Sequence, residues 1–291
     1  MGEREAAIGA RVQYRIRIRG EQRLLGARTW LMGVLNATPD SFSDGGHFDR
    51  PEAALARGLA MFEAGADIVD VGGESTRPGA AATPAADERR RVVPVIEALR
   101  RSGPGLVSVD TTKAEVAQAA LDAGADIVND VSGLAFDTRL GTLLAARGVP
   151  VVLMHLRGDF ESMHHEPRYA DVGAEVAAEL GAALARAQAA GIDPAQTILD
   201  PGIGFSKDAL HSLSLMRRLP ELLALGRPLL VGPSRKSFIG RVTGRPAGER
   251  LFGTAGAVAA AILAGAHLVR VHDVAEMADV ARVCDAIREA A

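Results

Sequence analysis

The segment Ala64-Gly65-Ala66-Asp67-Ile68-Val69 is repeated almost word for word as Ala123-Gly124-Ala125-Asp126-Ile127-Val128 and as Ala264-Gly265-Ala266-His267-Leu268-Val269. Each copy reads as a helix end, then a glycine able to take positive φ as a C-terminal cap, then a buried parallel strand. One αβ unit is being reused. Outward from these junctions, strand-like apolar runs fall at Leu31–Leu35, Ala66–Val71, Leu106–Val109, Ala125–Asn129, Pro150–Met154, Thr197–Leu199, Pro228–Val231 and Ala266–Val271. Between them, sets such as Leu55, Leu59 and Phe62, or Val176, Leu180, Leu184 and Ala187, recur at the helical period and lie on one face. The alternation, without the single Gly-rich dinucleotide loop of an open Rossmann sheet, predicts an α/β protein of the closed (β/α)8, or TIM barrel, type.

Ahead of the first barrel strand, Arg11–Gly20 alternates arginine with Val12, Tyr14, Ile16 and Ile18. This is the pattern of a half-buried strand, and pairing with the stretch around Leu24–Arg28 gives an N-terminal β-hairpin that closes the barrel floor. Its arginines fit the wet face of an edge strand better than a nucleic-acid patch. No Pro/Ser-rich linker divides the chain, so 1–291 is expected to be one domain, with 1–30 as extension and hairpin. The 291 residues are 48% apolar and 24% charged with net charge −3, which excludes a disordered chain and argues against nucleic acid as a partner. A lone cysteine, Cys284, forbids an intrachain disulfide and a Cys-rich zinc site and fits a reducing compartment. With no signal-like start and no run of apolar residues long enough to span a bilayer, the expectation is a cytoplasmic protein without a membrane partner.

Barrel chemistry belongs at the C-terminal ends of the strands. The apolar runs finish at Asn36, Asp70, Asp110, Asn129 with Asp130, His155, Asp200, Gly232, and Arg270 with His272, a set of acids, amides, imidazoles and an arginine directed to one mouth. Singly, Asp70 and Asp130 read as helix caps. Two long loops follow the first two strands, Asn36–Gly46 and Gly72–Gly79, and Phe42 and Pro78 within them could wall an apolar slot. Near the chain end, Gly232-Pro233-Ser234-Arg235-Lys236-Ser237 brings two cations and two hydroxyls to one turn. Strand alternation sends Arg270 and His272 to the same side, and together these features suggest an anion site. Of 33 basic residues only Lys113, Lys207 and Lys236 are lysine, which marks them as places where a compact ammonium could matter.

These motifs, with Val109-Asp110-Thr111-Thr112-Lys113, Leu153-Met154-His155 and Leu199-Asp200-Pro201-Gly202-Ile203-Gly204-Phe205, resemble those of the dihydropteroate synthase family in order and spacing from about Leu31 to Val274. The resemblance implies a usually homodimeric barrel that joins 6-hydroxymethyl-7,8-dihydropterin diphosphate to 4-aminobenzoate and releases diphosphate. It implies pterin contacts from Asp110, Asn129, Met154, Asp200, Lys236 and Arg270, and diphosphate contacts from Asn36, Thr76, Arg270 and His272. It implies 4-aminobenzoate contacts from Phe42, Thr76, Arg77, Pro78, Phe205, Lys236 and Ser237, and Asn36 as the protein ligand of a Mg²⁺ ion. Catalysis would then rest on Asp110, Asp200, Lys236, Arg270 and His272, without a covalent enzyme nucleophile.

Two departures from the family pattern fall in neighbouring loops: Leu156-Arg157-Gly158-Asp159-Phe160 after His155, and Ser206 where a glycine before Lys207 is common. Lys113, just inside a helix start, reads as a surface residue, and His164 with His165 as a solvated pair rather than a zinc site. Two alternatives share the barrel and pocket: a pterin-binding methyltransferase domain serving a corrinoid protein, and a catalytically silent pterin-binding paralogue.

Overall fold

The three repeated junctions take one backbone path. Gly65, Gly124 and Gly265 all have φ of +104°, a conformation that favours glycine. Around each, the glycine N–H reaches back to the carbonyl three residues before it (Phe62, Leu121, Ile262), and the next alanine N–H to the carbonyl five before it (Met61, Ala120, Ala261). This is the paired C-terminal lock of a Schellman motif. The residue after that alanine starts the parallel ladder and also uses its side chain. Asp67 Oδ2 accepts from Leu31 N, Asp126 Oδ2 from Val107 N, and His267 Nδ1 from Leu229 N, over 2.9, 2.9 and 3.1 Å. The histidine in the third copy thus does the acceptor work of the aspartates.

The computed structural model describes residues 11–37, 50–75, 82–160, 162–163 and 168–290. Strands β1 (Tyr14–Ile18) and β2 (Glu21–Leu25) form an antiparallel hairpin, tighter than the sequence pattern suggested. Its two-residue turn, Arg19-Gly20, has φ of +55° and +76°, the positive values that a primed hairpin turn demands. Eight parallel strands follow: β3 (Trp30–Asn36), β4 (Ile68–Gly72), β5 (Leu106–Asp110), β6 (Ile127–Asp130), β7 (Val151–Met154), β8 (Thr197–Asp200), β9 (Leu230–Val231) and β10 (Leu268–Val271). Their order is β8-β7-β6-β5-β4-β3-β10-β9. The seam between β8 and β9 is closed by a parallel bridge of Leu199 with Leu229 and by Leu199 N donating to Pro228 O. Each of the eight barrel strands begins within two residues of its expected start.

Helices α1 (Arg50–Glu63), α2 (Ala85–Ser102), α3 (Ala114–Asp122), α4 (Thr138–Arg147) and α5 (Val172–Ala189) follow β3 to β7. The helices α6 (Ala209–Arg217), α7 (Leu219–Leu222), α8 (Ser237–Thr243), α9 (Leu251–Leu263) and α10 (Val274–Glu289) complete the outer layer. One apolar core lies between helices and strands. A second fills the barrel itself, where Trp30, Met32, Ile68, Leu106, Ile127, Val152, Ile198, Leu230 and Leu268 meet Ile16, Ile18 and Leu25 of the hairpin. The hairpin is therefore the plug of the barrel floor, each of its buried isoleucines contributing roughly 2 kcal/mol by leaving water. Gln196 ties it down, donating to Arg17 O and accepting from Arg17 N.

Candidate active site

Strand phase sorts the polar run-ends. Counting by twos from the floor layer, Ile68 leads to Asp70, Leu106 to Ser108 and Asp110, Ile127 to Asn129, Val152 to Met154, Ile198 to Asp200, and Leu268 to Arg270. These side chains point into the barrel above its apolar floor. A cavity of about 170 Å³ opens there, lined among others by Asn36, Asp110, Asn129, Met154, Asp200, Phe205, Lys236, Arg270 and His272. Run-ends one residue out of phase face elsewhere. Asp130 caps the following turn by accepting from Ser132 N and Leu134 N, and α4 is instead capped by Asp137. His155 turns outward to Glu179 on α5, Nε2 to Oε2 at 2.9 Å.

Arg270 is the hub of the cavity floor. Its Nε donates to Asp70 Oδ2 and its Nη2 to Asp110 Oδ2, each over 2.7 Å, and Asn129 Nδ2 donates to the same Asp70 oxygen over 2.9 Å. Asp70 is therefore no helix cap but a fully buried carboxylate within β4. At the next wall, Asp200 Oδ1 accepts from Gly202 N over 2.7 Å. Only glycine fits position 202, because φ is +66° and an added Cβ would stand 2.1 Å from His155 O. Lys236 Nζ lies 3.8 Å from the Phe205 ring centroid, a cation–π contact at the cavity edge. His272 N donates to Ser234 Oγ, and the same hydroxyl shares a hydrogen bond with His272 Nδ1 over 3.0 Å.

A profile of the family described as Pterin binding enzyme matches residues 32–272. The dihydropteroate synthase of Synechocystis is 48% identical over 263 residues, which span 90% of this chain and 91% of that protein. The chain belongs to the dihydropteroate synthase family. Two solved dihydropteroate synthases of Xanthomonas albilineans superpose closely. The one with 4-aminobenzoic acid has a TM-score of 0.89 at 45% identity, covering 96% of this chain and all of that one. The one in complex with 7,8-dihydropteroate has a TM-score of 0.86 at 42% identity, covering 95% and 100%. The activity of this member of the family is dihydropteroate synthesis in folate biosynthesis, a transferase reaction.

Electrostatically, the synthase cavity is balanced. Burial pushes the Asp110 carboxyl up, to about 7, against the pull of Arg270, and raises Asp200 to about 6 despite the Gly202 N–H and nearby Lys236. Burial lowers Lys236 to about 8, with Arg270 adding to the effect. His272 falls to about 4 through burial and the neighbouring Arg270 and Arg235, so at neutral pH it is uncharged. The anion-site turn delivers one cation rather than two. Lys236 enters the cavity, whereas Arg235 turns away to an ion pair with Asp273. Ser237 opens α8 exposed and outside the lining, and Ser234 supplies the hydroxyl there.

Phe42, Thr76, Arg77 and Pro78, like His164 and His165, lie outside the described residues. Glu74 and Ser75 also line the cavity, and nothing in their motif beyond its position had singled them out. Lys113 is half-buried rather than freely solvated: its Nζ bridges Glu74 and the buried Glu88 over 2.8 and 2.6 Å. Lys207 is buried, donating to Gly202 O and Phe205 O and meeting His155 Nδ1 at 2.8 Å. It braces the loop that carries Asp200, Gly202 and Phe205, and its rarity as a lysine was the available signal. The two departures from the family pattern touch, since Arg157 N donates to Ser206 Oγ over 3.0 Å.

Proposed function

We propose that the cavity binds the pterin diphosphate against Asp110, Asn129, Asp200 and Lys236, with Met154 as an apolar wall. A pterin offers an amine and ring N–H donors beside N and O acceptors, and two acids, an amide and a lysine form the complementary set. Arg270, His272, Asn36 and Thr76 face the diphosphate, and Phe42, Thr76, Arg77, Pro78, Phe205, Lys236 and Ser237 receive 4-aminobenzoate, Ser237 being the member with least support from its exposed position. The observation that carries this reading is the convergence of Asp110, Asp200, Lys236, Arg270 and His272, from β5, β8, β10 and the segments that follow β9 and β10, on one cavity.

The residues then divide the charge of a substitution at the pterin methylene. In a dissociative, SN1-like sequence the C–O bond to diphosphate breaks first, leaving positive charge on the pterin, the arylamine nitrogen then bonds to that carbon, and its proton passes to the released diphosphate or to water. Arg270 and His272 stabilise the departing negative charge, while the carboxylates of Asp110 and Asp200 stabilise positive charge on the pterin. Asn36 fits a Mg²⁺ ion as a single neutral oxygen donor. Gly72, between Asn36 and Asp110, leaves open the space a side chain would take, since a Cβ there would stand 3.9 Å from Asn36 Oδ1 and 3.8 Å from Asp110 Oδ2. Among the described residues no group of three or more His, Cys, Asp or Glu could cage a metal, which suits an ion holding mostly water and phosphate oxygens. When bound, Mg²⁺ neutralises diphosphate charge.

We further propose that 1–291 acts as one pterin-binding barrel domain, with 1–30 as extension and hairpin, in a cytoplasmic homodimer. Support for the dimer is the apolar surface of α9 and α10, where Phe252, Val283 and Ile287 are exposed. The buried thiol of Cys284 is consistent with a reducing compartment. The function is tested by incubating the protein with Mg²⁺ and the pterin diphosphate and following diphosphate release. Release that requires 4-aminobenzoate supports the synthase reaction, and its absence with pterin binding intact supports the silent paralogue.

A further inference from the structure

We infer that Asp70 is a positioning residue that sets, through Asn129 and Arg270, the pattern of donors and acceptors the cavity floor presents to the pterin. This deepens the proposed function and rests on that reading of the cavity. Asp70 is fully buried and is absent from the cavity lining. Its effect on a ligand must pass through the two side chains it holds.

Both of those side chains bond to a single oxygen, Asp70 Oδ2, through Asn129 Nδ2 and Arg270 Nε. An ionised carboxylate only accepts, so Asn129 is obliged to turn its NH₂ group toward Asp70. Its Oδ1 and remaining N–H are then in a fixed arrangement for the ligand. Arg270 is pinned at a second corner by Asp110, which fixes the plane of the guanidinium. A neutral amide at position 70 could offer either its oxygen or its nitrogen to Asn129, and the second choice would reverse the donor and acceptor shown to the pterin.

Two further atoms speak against a purely stabilising role. Asp70 Oδ1, and Oγ of Ser108 at the paired register position of β5, have no hydrogen-bond partner among the described residues. A buried acceptor left without a partner costs stability, as does burying an ion pair. Asp70 is therefore better explained by what it orients than by what it stabilises.

The test uses the full chain and calorimetric binding of the pterin diphosphate, with steady-state kinetics and thermal melts alongside. Asp70→Asn is expected to weaken pterin diphosphate binding by about tenfold or more. The KM for 4-aminobenzoate should stay within about twofold. In an Asn129→Ala background the same substitution is expected to cost less than it does in the unaltered chain, because one of the two side chains it acts through is gone and only the path through Arg270 remains. Losses that multiply in the double variant, or binding by Asp70→Asn equal to the unaltered chain, overturn the inference.

Should Asp70→Asn fail to fold, the exchange Asp70→Asn with Asn129→Asp restores one Asn–Asp hydrogen bond and the net charge while replacing the amide N–H that faces the ligand by a carboxylate oxygen. It is expected to recover folding without pterin binding. Recovery of both would show a merely structural role. If the unaltered chain itself does not bind the pterin diphosphate, the proposed function fails and not this inference alone.

Discussion

His267 Nδ1 accepts the main-chain N–H of Leu229 over 3.1 Å while its Nε2 donates to Val12 O over 2.9 Å, so the ring is held neutral between a barrel strand and the segment leading into the hairpin. Burial carries its pKa down to about 4, against an ordinary value of 6.5. In the unfolded chain the ring takes up a proton below 6.5, whereas in the fold it resists until about 4. Stability from this group is complete above 6.5 and is lost as pH falls toward 4, up to about 3 kcal/mol. Urea unfolding at pH 7 and pH 5 should show His267→Gln less stable at the higher pH but with a shallower loss on acidification than the unaltered chain.

Ser206 has a φ of +45°, which is unfavourable for a residue with a side chain, and its Oγ accepts from Arg157 N. Replacement by glycine removes both the strain and the hydrogen bond, two effects of about 1 kcal/mol each and opposite sign. Alanine loses the bond and keeps the strain. Denaturant midpoints should place Ser206→Gly close to the unaltered chain and Ser206→Ala about 1 kcal/mol below it.

In the mechanism proposed above, the reaction uses ionised carboxylates at Asp110 and Asp200 and a protonated Lys236. With burial lifting the acids to about 7 and about 6 and lowering the lysine to about 8, kcat/KM for the pterin diphosphate should rise through pH 6 to 7 and fall above about 8. Lys236→Arg keeps its charge to far higher pH, so the alkaline limb should move upward by more than one unit in that variant even if the rate is lower.

Much of this architecture was readable before the fold, because the period of the apolar runs carries it. The Ala-Gly-Ala junctions marked three of the helix-to-strand transitions, and the hairpin arginines had the alternation of an edge strand. Six expected site residues of the strand interiors and ends, Asn36, Asp110, Asn129, Met154, Asp200 and Arg270, together with Phe205, Lys236 and His272, line one cavity. What a list of run-ends does not contain is their phase, and one residue of difference separates Asn129, which faces the cavity, from Asp130, which caps a turn. Asp70, read as a cap, and Lys113, read as a surface residue, are ion-pair partners, and a sequence does not separate those roles without the position of the opposite charge. Their partners, Arg270 for one and Glu88 for the other, lie 200 and 25 residues away.

In the proposed mechanism, buried carboxylates beside Arg270 stabilise charge on the pterin as diphosphate departs. Asp110→Asn keeps the size of the side chain and an acceptor for Arg270 Nη2 while removing the charge. Its kcat, measured by 4-aminobenzoate-dependent diphosphate release at saturating substrates, should fall by about a hundredfold or more. A kcat within about threefold of the unaltered enzyme, with the pterin bound as tightly, would contradict the account.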